Sequence, residues 1–273
     1  MAGTPTIGAL LLVVGCTGGS VPTVRVPTPS ARTTMTTPGP SSIVGLGDSI
    51  PSGDGCPGCT PYVELFGRQM SADVGERPVR VTNLGVGGWT STDLLNSLEV
   101  DRYEENAVGA ADLVTVTIGA NDFESELDAY LGGDCGGDDD LDCFSSLLPQ
   151  LHNTLTSVLE RIAELRQGQR TEVLMTGYWD IFPDGDVARR LYGPQFVQDS
   201  AVLTRRVNDV ISSVAAAQGA TYVDLFGAFK GAEGDEDPTS LLADDGDHPN
   251  QSGHQQIADA LSAALGSAGG SRN

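Results

Sequence analysis

Residues Ser42–Ile50 read Ser-Ile-Val-Gly-Leu-Gly-Asp-Ser-Ile, a short apolar run that breaks at glycine and delivers Asp48 and Ser49 directly after it. A run of this length bounded by glycine is a buried strand, Ser42–Gly47. In open α/β sheets reactive groups gather at the carboxyl ends of strands, so Ser49 stands where a nucleophile belongs. Taken alone, Gly-Asp-Ser reads equally well as a turn or a helix cap, because Asp and Ser favour both.

Working outward, four further strands are expected, at Val79–Leu84, Asp112–Ile118, Glu172–Thr176 and Thr221–Leu225. Between them apolar residues recur at three- and four-residue steps, which predicts helices over Thr60–Val74, Thr92–Leu98, Phe144–Gln167, Gln195–Gln218 and Ser252–Leu265. Strand and helix alternate, so the fold class is α/β, a three-layer α/β/α sandwich around a central parallel sheet. The 273 residues suit one such domain, expected over 42–266, with appendages at both ends. Sparse aromatics (5%) and frequent Gly (35 residues) fit the many tight strand-to-helix turns of that class.

The formal charge is −22, from 37 acidic against 15 Lys plus Arg side chains. A polyanion would meet repulsion instead of counterion-releasing contacts, so nucleic acid is excluded as a partner.

At the other end of the chain, Ile7–Val14 is an apolar run too short to span a bilayer and of the size of a signal-peptide core, so residues 1–16 are expected to direct export. Val13-Val14-Gly15-Cys16 resembles a bacterial lipobox, which implies acylation of Cys16 and membrane attachment; the rivals are a non-lipidated secreted form and an ordinary buried Cys. The run departs from the usual signal in having no Lys or Arg ahead of it. Residues 17–41 are rich in Thr, Pro and Ser without apolar periodicity and read as an extended linker, and 267–273 as a flexible tail.

Apart from Cys16 the chain holds Cys56, Cys59, Cys135 and Cys143. In an exported protein disulfides are expected, and loop-local pairs Cys56–Cys59 and Cys135–Cys143 each fall within one Gly-rich stretch. A zinc site is the rival, but Cys-x-x-Cys here has neither a second such pair nor His at ligand spacing. The acidic loop Gly132–Asp142 lacks the alternating Asp pattern of a calcium loop, so no metal is expected.

Three more polar groups arrive after strands or before helices. Asn83-Leu84-Gly85-Val86-Gly87-Gly88-Trp89 offers the Gly88 N–H to a ligand, or is simply a tight turn. Gly119-Ala120-Asn121-Asp122 delivers an Asn amide, or a helix cap. Asp244-Asp245-Gly246-Asp247-His248-Pro249-Asn250 precedes the last helix; Asp-x-x-His lets a carboxylate fold back on the imidazole, which favours Asp245 over Asp244 and Asp247.

The order of these motifs resembles the SGNH, or GDSL-type, hydrolase family, over about residues 42–266: Ser49 in GDSI, Gly88 in NLGVGG, Asn121 in GAND and His248 in DGDHPN. Ile50 replaces the familiar Leu. The Gly-x-Ser-x-Gly elbow of ordinary α/β-hydrolases is absent around Ser49. The resemblance implies a flavodoxin-like strand order and a serine esterase or lipase. His248 would act as base, Asp245 would orient it, and the N–H groups of Ser49 and Gly88 with the Asn121 amide would form the oxyanion hole. No cofactor is needed. The expected substrate is a small-molecule or lipid ester, with carbohydrate O-deacetylation and a non-catalytic cell-surface binding role as alternatives, and the expected state is a monomer. Trp89 and Trp179 are pocket candidates; Trp179 reads equally as core, whereas Trp89, next to Gly88, favours the pocket. His152 and His254 lie within helical patterns and read as surface or packing residues.

Overall fold

The computed structural model describes residues 40–73, 78–169 and 171–270, together with Leu12 and Gly15. The chain divides into two units, Met1–Thr37 and Pro38–Asn273, and every element named here belongs to the second. Cys16 lies outside the described residues, as do nearly all of the expected export segment and linker.

In chain order the elements are β1 (Ser42–Gly47), α1 (Ser49–Ser52), α2 (Tyr62–Asp73), β2 (Arg80–Gly85), α3 (Ser91–Val100), α4 (Arg102–Gly109), β3 (Leu113–Thr117), α5 (Leu127–Gly132), α6 (Leu147–Leu165), β4 (Glu172–Thr176), α7 (Gly185–Leu191), α8 (Pro194–Gln218), β5 (Thr221–Val223), α9 (Leu225–Lys230) and α10 (Gln251–Gly270). The five strands form one parallel sheet in the order β2-β1-β3-β4-β5. Every residue of β1 and β3 is buried, as strands covered on both faces must be; β1 is apolar from Ile43 to Leu46, and β3 buries Thr115 and Thr117 among its apolar residues. Helices α2 and α10 pack together, while α3 and α8 each pack on α6. The architecture is a three-layer α/β/α sandwich of flavodoxin-like order.

The order reverses around β1: the chain leaves it for β2 on one side and returns to pair β3 on the other. Such a switch point opens a crevice beyond the carboxyl ends of the strands. The segments entering it follow β1, β2 and β3, which are those carrying Ser49, Gly88 and Asn121.

Expected strands recur within two residues of their observed ends, and the expected helices start within three of theirs. The short helices were not expected. Helix α4 forms from the polar stretch after Asp101 because the Asp101 carboxylate accepts from the N–H groups of Tyr103 (2.7 Å) and Glu104 (3.2 Å). Helix α10 runs to Gly270, four residues into the stretch 267–273 expected to be a tail; Gly266, Gly269 and Gly270 are poor helix formers, so its last turns run against local propensity.

Candidate active site

Ser49 opens α1 directly after β1 and is half-buried. Asp48 caps that turn, its Oδ1 accepting from the Ile50 N–H at 3.0 Å, and its own N–H donates to the Thr117 carbonyl of β3 at 3.1 Å. The Asp48 carboxyl is buried (1% exposed), and the Tyr178 hydroxyl donates to its Oδ2. Burial pushes its pKa up to about 7, against the opposing pull of the Tyr178 and Ile50 hydrogen bonds; the charges of Asp247 and His248 also reach it.

The loop after β2 is tied back to β1 by the Val86 N–H, which donates to the Gly47 carbonyl at 3.0 Å. It then turns through Gly88 at φ 78°, where glycine meets no Cβ penalty. Asn121, in the 3₁₀ turn Asn121–Glu126, donates from Nδ2 to the Trp89 carbonyl at 2.8 Å, so the two loops expected to supply the oxyanion hole are joined to each other. One Asn121 amide hydrogen is used in that bond, and the other is left over. Next to it, Asp122 accepts at Oδ1 from the Ser91 hydroxyl (2.5 Å) and at Oδ2 from the Ser91 N–H (2.8 Å), clamping Asn121 to the start of α3. Burial outweighs those bonds and raises the Asp122 pKa.

His248 is held by Asp245, whose Oδ2 stands 2.8 Å from Nδ1. Asp245 Oδ1 also accepts from the backbone N–H groups of Asp247 (2.9 Å) and His248 (3.0 Å), so one carboxylate shapes the turn and orients the ring. Burial pushes Asp245 up, but those N–H groups and the imidazole overcome it and hold its pKa below the ordinary value. Asp247 lies 3.9 Å from Nδ1, too far to hydrogen-bond, and burial pushes its pKa up to about 6. The geometry therefore selects Asp245 among the three nearby acids. Among the described residues neither Ser49 Oγ nor His248 Nε2 has a hydrogen-bond partner. The same is true of the Ser49 and Gly88 backbone N–H groups.

The two tryptophans part company. Trp89 is half-buried directly after Gly88. Trp179 is fully buried and stacks on Phe229 with ring centroids 4.4 Å apart, so it lies in the core and does not line a surface pocket; the segment after β4 dives inward beneath α9. His254 is likewise buried, which lowers its pKa to about 4, and His152 is exposed. Both disulfides form as expected, with Cα separations of 5.5 Å for Cys56–Cys59 and 4.7 Å for Cys135–Cys143. Among the described residues no group of three His, Cys, Asp or Glu side chains is arranged to hold a metal ion. Sequence reasoning passed over the Asp48–Tyr178 pair, considered Asp122 only as a helix cap, and missed Gly55, which abuts His248.

A model of the GDSL-like Lipase/Acylhydrolase family matches residues 46–256. None of the curated proteins matches. Among solved structures, a lipase from a goat rumen metagenome is 22% identical, with a TM-score of 0.62, covering 82% of this chain and 96% of its own. An α/β hydrolase enzyme, LAE5, from the metagenome of Lake Arreo, Spain, is 26% identical with a TM-score of 0.57, covering 83% and 95%. A catalytic mutant of the acetylxylan esterase Axe2 from Geobacillus stearothermophilus is 21% identical with a TM-score of 0.58, covering 83% and 94%.

Proposed function

Because the chain belongs to the GDSL-like lipase/acylhydrolase family and is a carboxylic ester hydrolase, we infer that it works through an acyl-enzyme on Ser49. The observation that carries this reading is the Asp245–His248 pair at 2.8 Å, with the opposite ring nitrogen, Nε2, free of partners among the described residues. With Nδ1–H given to the carboxylate, Nε2 is the basic nitrogen and takes the Ser49 proton as Oγ attacks the ester carbonyl. The tetrahedral oxyanion is met by the N–H groups of Ser49 and Gly88 and the spare Asn121 amide hydrogen, each donor contributing about 3–4 kcal/mol to the barrier reduction. Collapse expels the alcohol, which leaves with the proton carried on Nε2. Water then gives a proton to the same nitrogen, attacks the acyl carbonyl and releases the acid, and the proton returns to Ser49 Oγ.

The substrate class we assign is a lipid or short acyl ester. A second reading, O-deacetylation of an acetylated carbohydrate, draws support from the acetylxylan esterase among the structural matches. Export with Cys16 acylated and the domain held on a Thr/Pro/Ser-rich tether is the matching localisation, supported by the apolar run Ile7–Val14 and the two disulfides. Mass spectrometry of the mature N-terminus reads this part out, and an unprocessed Met1 in exported protein overturns it.

Ser49→Ala is expected to abolish turnover of a p-nitrophenyl ester and labelling by a fluorophosphonate while the circular dichroism spectrum is unchanged. Undiminished turnover in S49A would end the mechanism. Comparing acyl chain lengths with acetylated polysaccharide chooses between the two substrate classes.

A further inference from the structure

The pair His248–Asp245 sits near the surface, with side chains 19% and 41% exposed, so one hydrogen bond to a partly solvated carboxylate is a weak constraint on where the ring stands. Something else must hold it, since displacement of a base by about 1 Å costs on the order of 100-fold in rate.

The loop that follows α1 is in the right place. Its first residues are fastened to the nucleophile's own residue, the N–H groups of Gly53 and Asp54 both donating to the Ser49 carbonyl at 3.1 Å. Its middle is closed by Cys56–Cys59, with the Cys59 N–H donating to the Cys56 carbonyl at 3.0 Å. Its far end is fastened to the element bearing the base: the Thr60 N–H donates to Oε1 of Gln251 at 2.9 Å, and Gln251 Nε2 donates to the Thr60 carbonyl at 3.4 Å. Gln251 opens α10, three residues after His248.

Between those fastenings Gly55 touches the imidazole. A Cβ at Gly55 would collide with His248 Cβ and lie 2.5 Å from its Cγ and 2.7 Å from Nδ1, so the ring occupies the space a side chain would take. On the other side of the same turn, Asp54 Oδ2 rests on Gly87, the neighbour of Gly88. One short segment therefore touches the base, the nucleophile's carbonyl and the oxyanion turn.

We propose that the disulfide-closed loop from Gly53 to Pro61 is the brace that sets His248 against Ser49, and that Gly55 is a positioning residue whose missing side chain defines the seat of the imidazole. This rests on the assignment of Ser49 and His248 given above.

Gly58 supplies the control. It lies in the same loop with φ 89°, against 75° at Gly55, so alanine strains the backbone alike at both positions, but a Cβ at Gly58 would meet nothing within 4 Å. In the full chain, Gly55→Ala is expected to lower kcat on a p-nitrophenyl ester by about 10- to 100-fold with KM within about threefold, whereas Gly58→Ala stays within about threefold on both. In a His248→Gly background, which removes the Cβ, Cγ and Nδ1 that the new methyl would meet, adding G55A should cost no further residual activity. Equal losses in G55A and G58A, or an undiminished cost of G55A without His248, overturn the proposal. Should G55A fail to fold, the Cys56→Ser/Cys59→Ser variant carries the test: a fall in kcat at kept KM supports the brace, and an unchanged kcat overturns it. Undiminished turnover in S49A and H248A would instead sink the underlying mechanism, so the two failures read differently.

Discussion

Across 130 residues of chain, the Tyr178 hydroxyl donates to Oδ2 of Asp48 at 2.5 Å, which places a buried carboxyl with one strong side-chain donor next in sequence to Ser49. Hydrogen bonds from Tyr178 and Ile50 offset only part of the desolvation, and the group ionises near pH 7 in the folded chain.

That relationship fixes a pH dependence of stability. The folded pKa of about 7 exceeds the ordinary 3.8, so the folded state holds a proton that the unfolded chain has already lost. The contribution is whole below about pH 4 and disappears as pH rises to 7, a total on the order of 4 kcal/mol. Asp48→Asn keeps an acceptor for the Ile50 N–H and removes the titration. Subtracting its urea-unfolding free energy from that of the wild type between pH 4 and 8 separates Asp48, with its coupling to Asp247, from Asp122 and Glu104, whose pKa values are also raised. The difference should shift against the wild type as pH rises through this window; a flat difference refutes the assignment.

What could be read from the chain in advance follows the range of the interactions. Strands β1 and β4 were legible to the residue because continuous apolar runs end at Gly47 and just before Gly177. Asp245 was legible because its bond to His248 spans three residues. The four-residue helix α1, which contains Pro51, is too short to show a period, and α7 and α9 are little longer. Asp48–Tyr178, Asn121–Trp89 and Gly55–His248 join distant segments through the sheet topology, and no local pattern announces such contacts. Trp179 was visible as an aromatic at a strand end, but whether that end faces solvent or core is decided by α9, which brings Phe229 over it.

The two tryptophans should separate in solution as they do in space. Trp179→Ala removes a fully buried ring from its stack with Phe229, and a loss of about 3–5 kcal/mol is expected, with the acyl chain-length preference unchanged in the surviving folded protein. Trp89→Ala, at a half-buried position whose carbonyl anchors Asn121, should cost less stability and alter KM across the chain-length series. A changed chain-length profile in W179A would return that residue to the substrate pocket.

Lys230 is the one lysine among the buried polar residues, and its ammonium lies 3.0 Å from Asp180 and 2.7 Å from Asp184. Burial pulls its pKa down, yet the two carboxylates outweigh burial and hold it above the ordinary value. Asp184 also donates from its backbone N–H to the Gly246 carbonyl at 2.8 Å, inside the turn that carries His248, so the cluster is tied to that turn. Lys230→Met fills similar space and strands two acids in the interior, where breaking a buried pair costs about 3–5 kcal/mol. Burial already raises the Asp180 pKa, and without the ammonium it must rise further. The loss should therefore be smaller near pH 5, where the acids can take up protons, than at pH 8, where ionisation is forced. Thermal melts of K230M and wild type across that range measure the trend. Equal destabilisation at both ends would mean that the ion pair contributes packing alone.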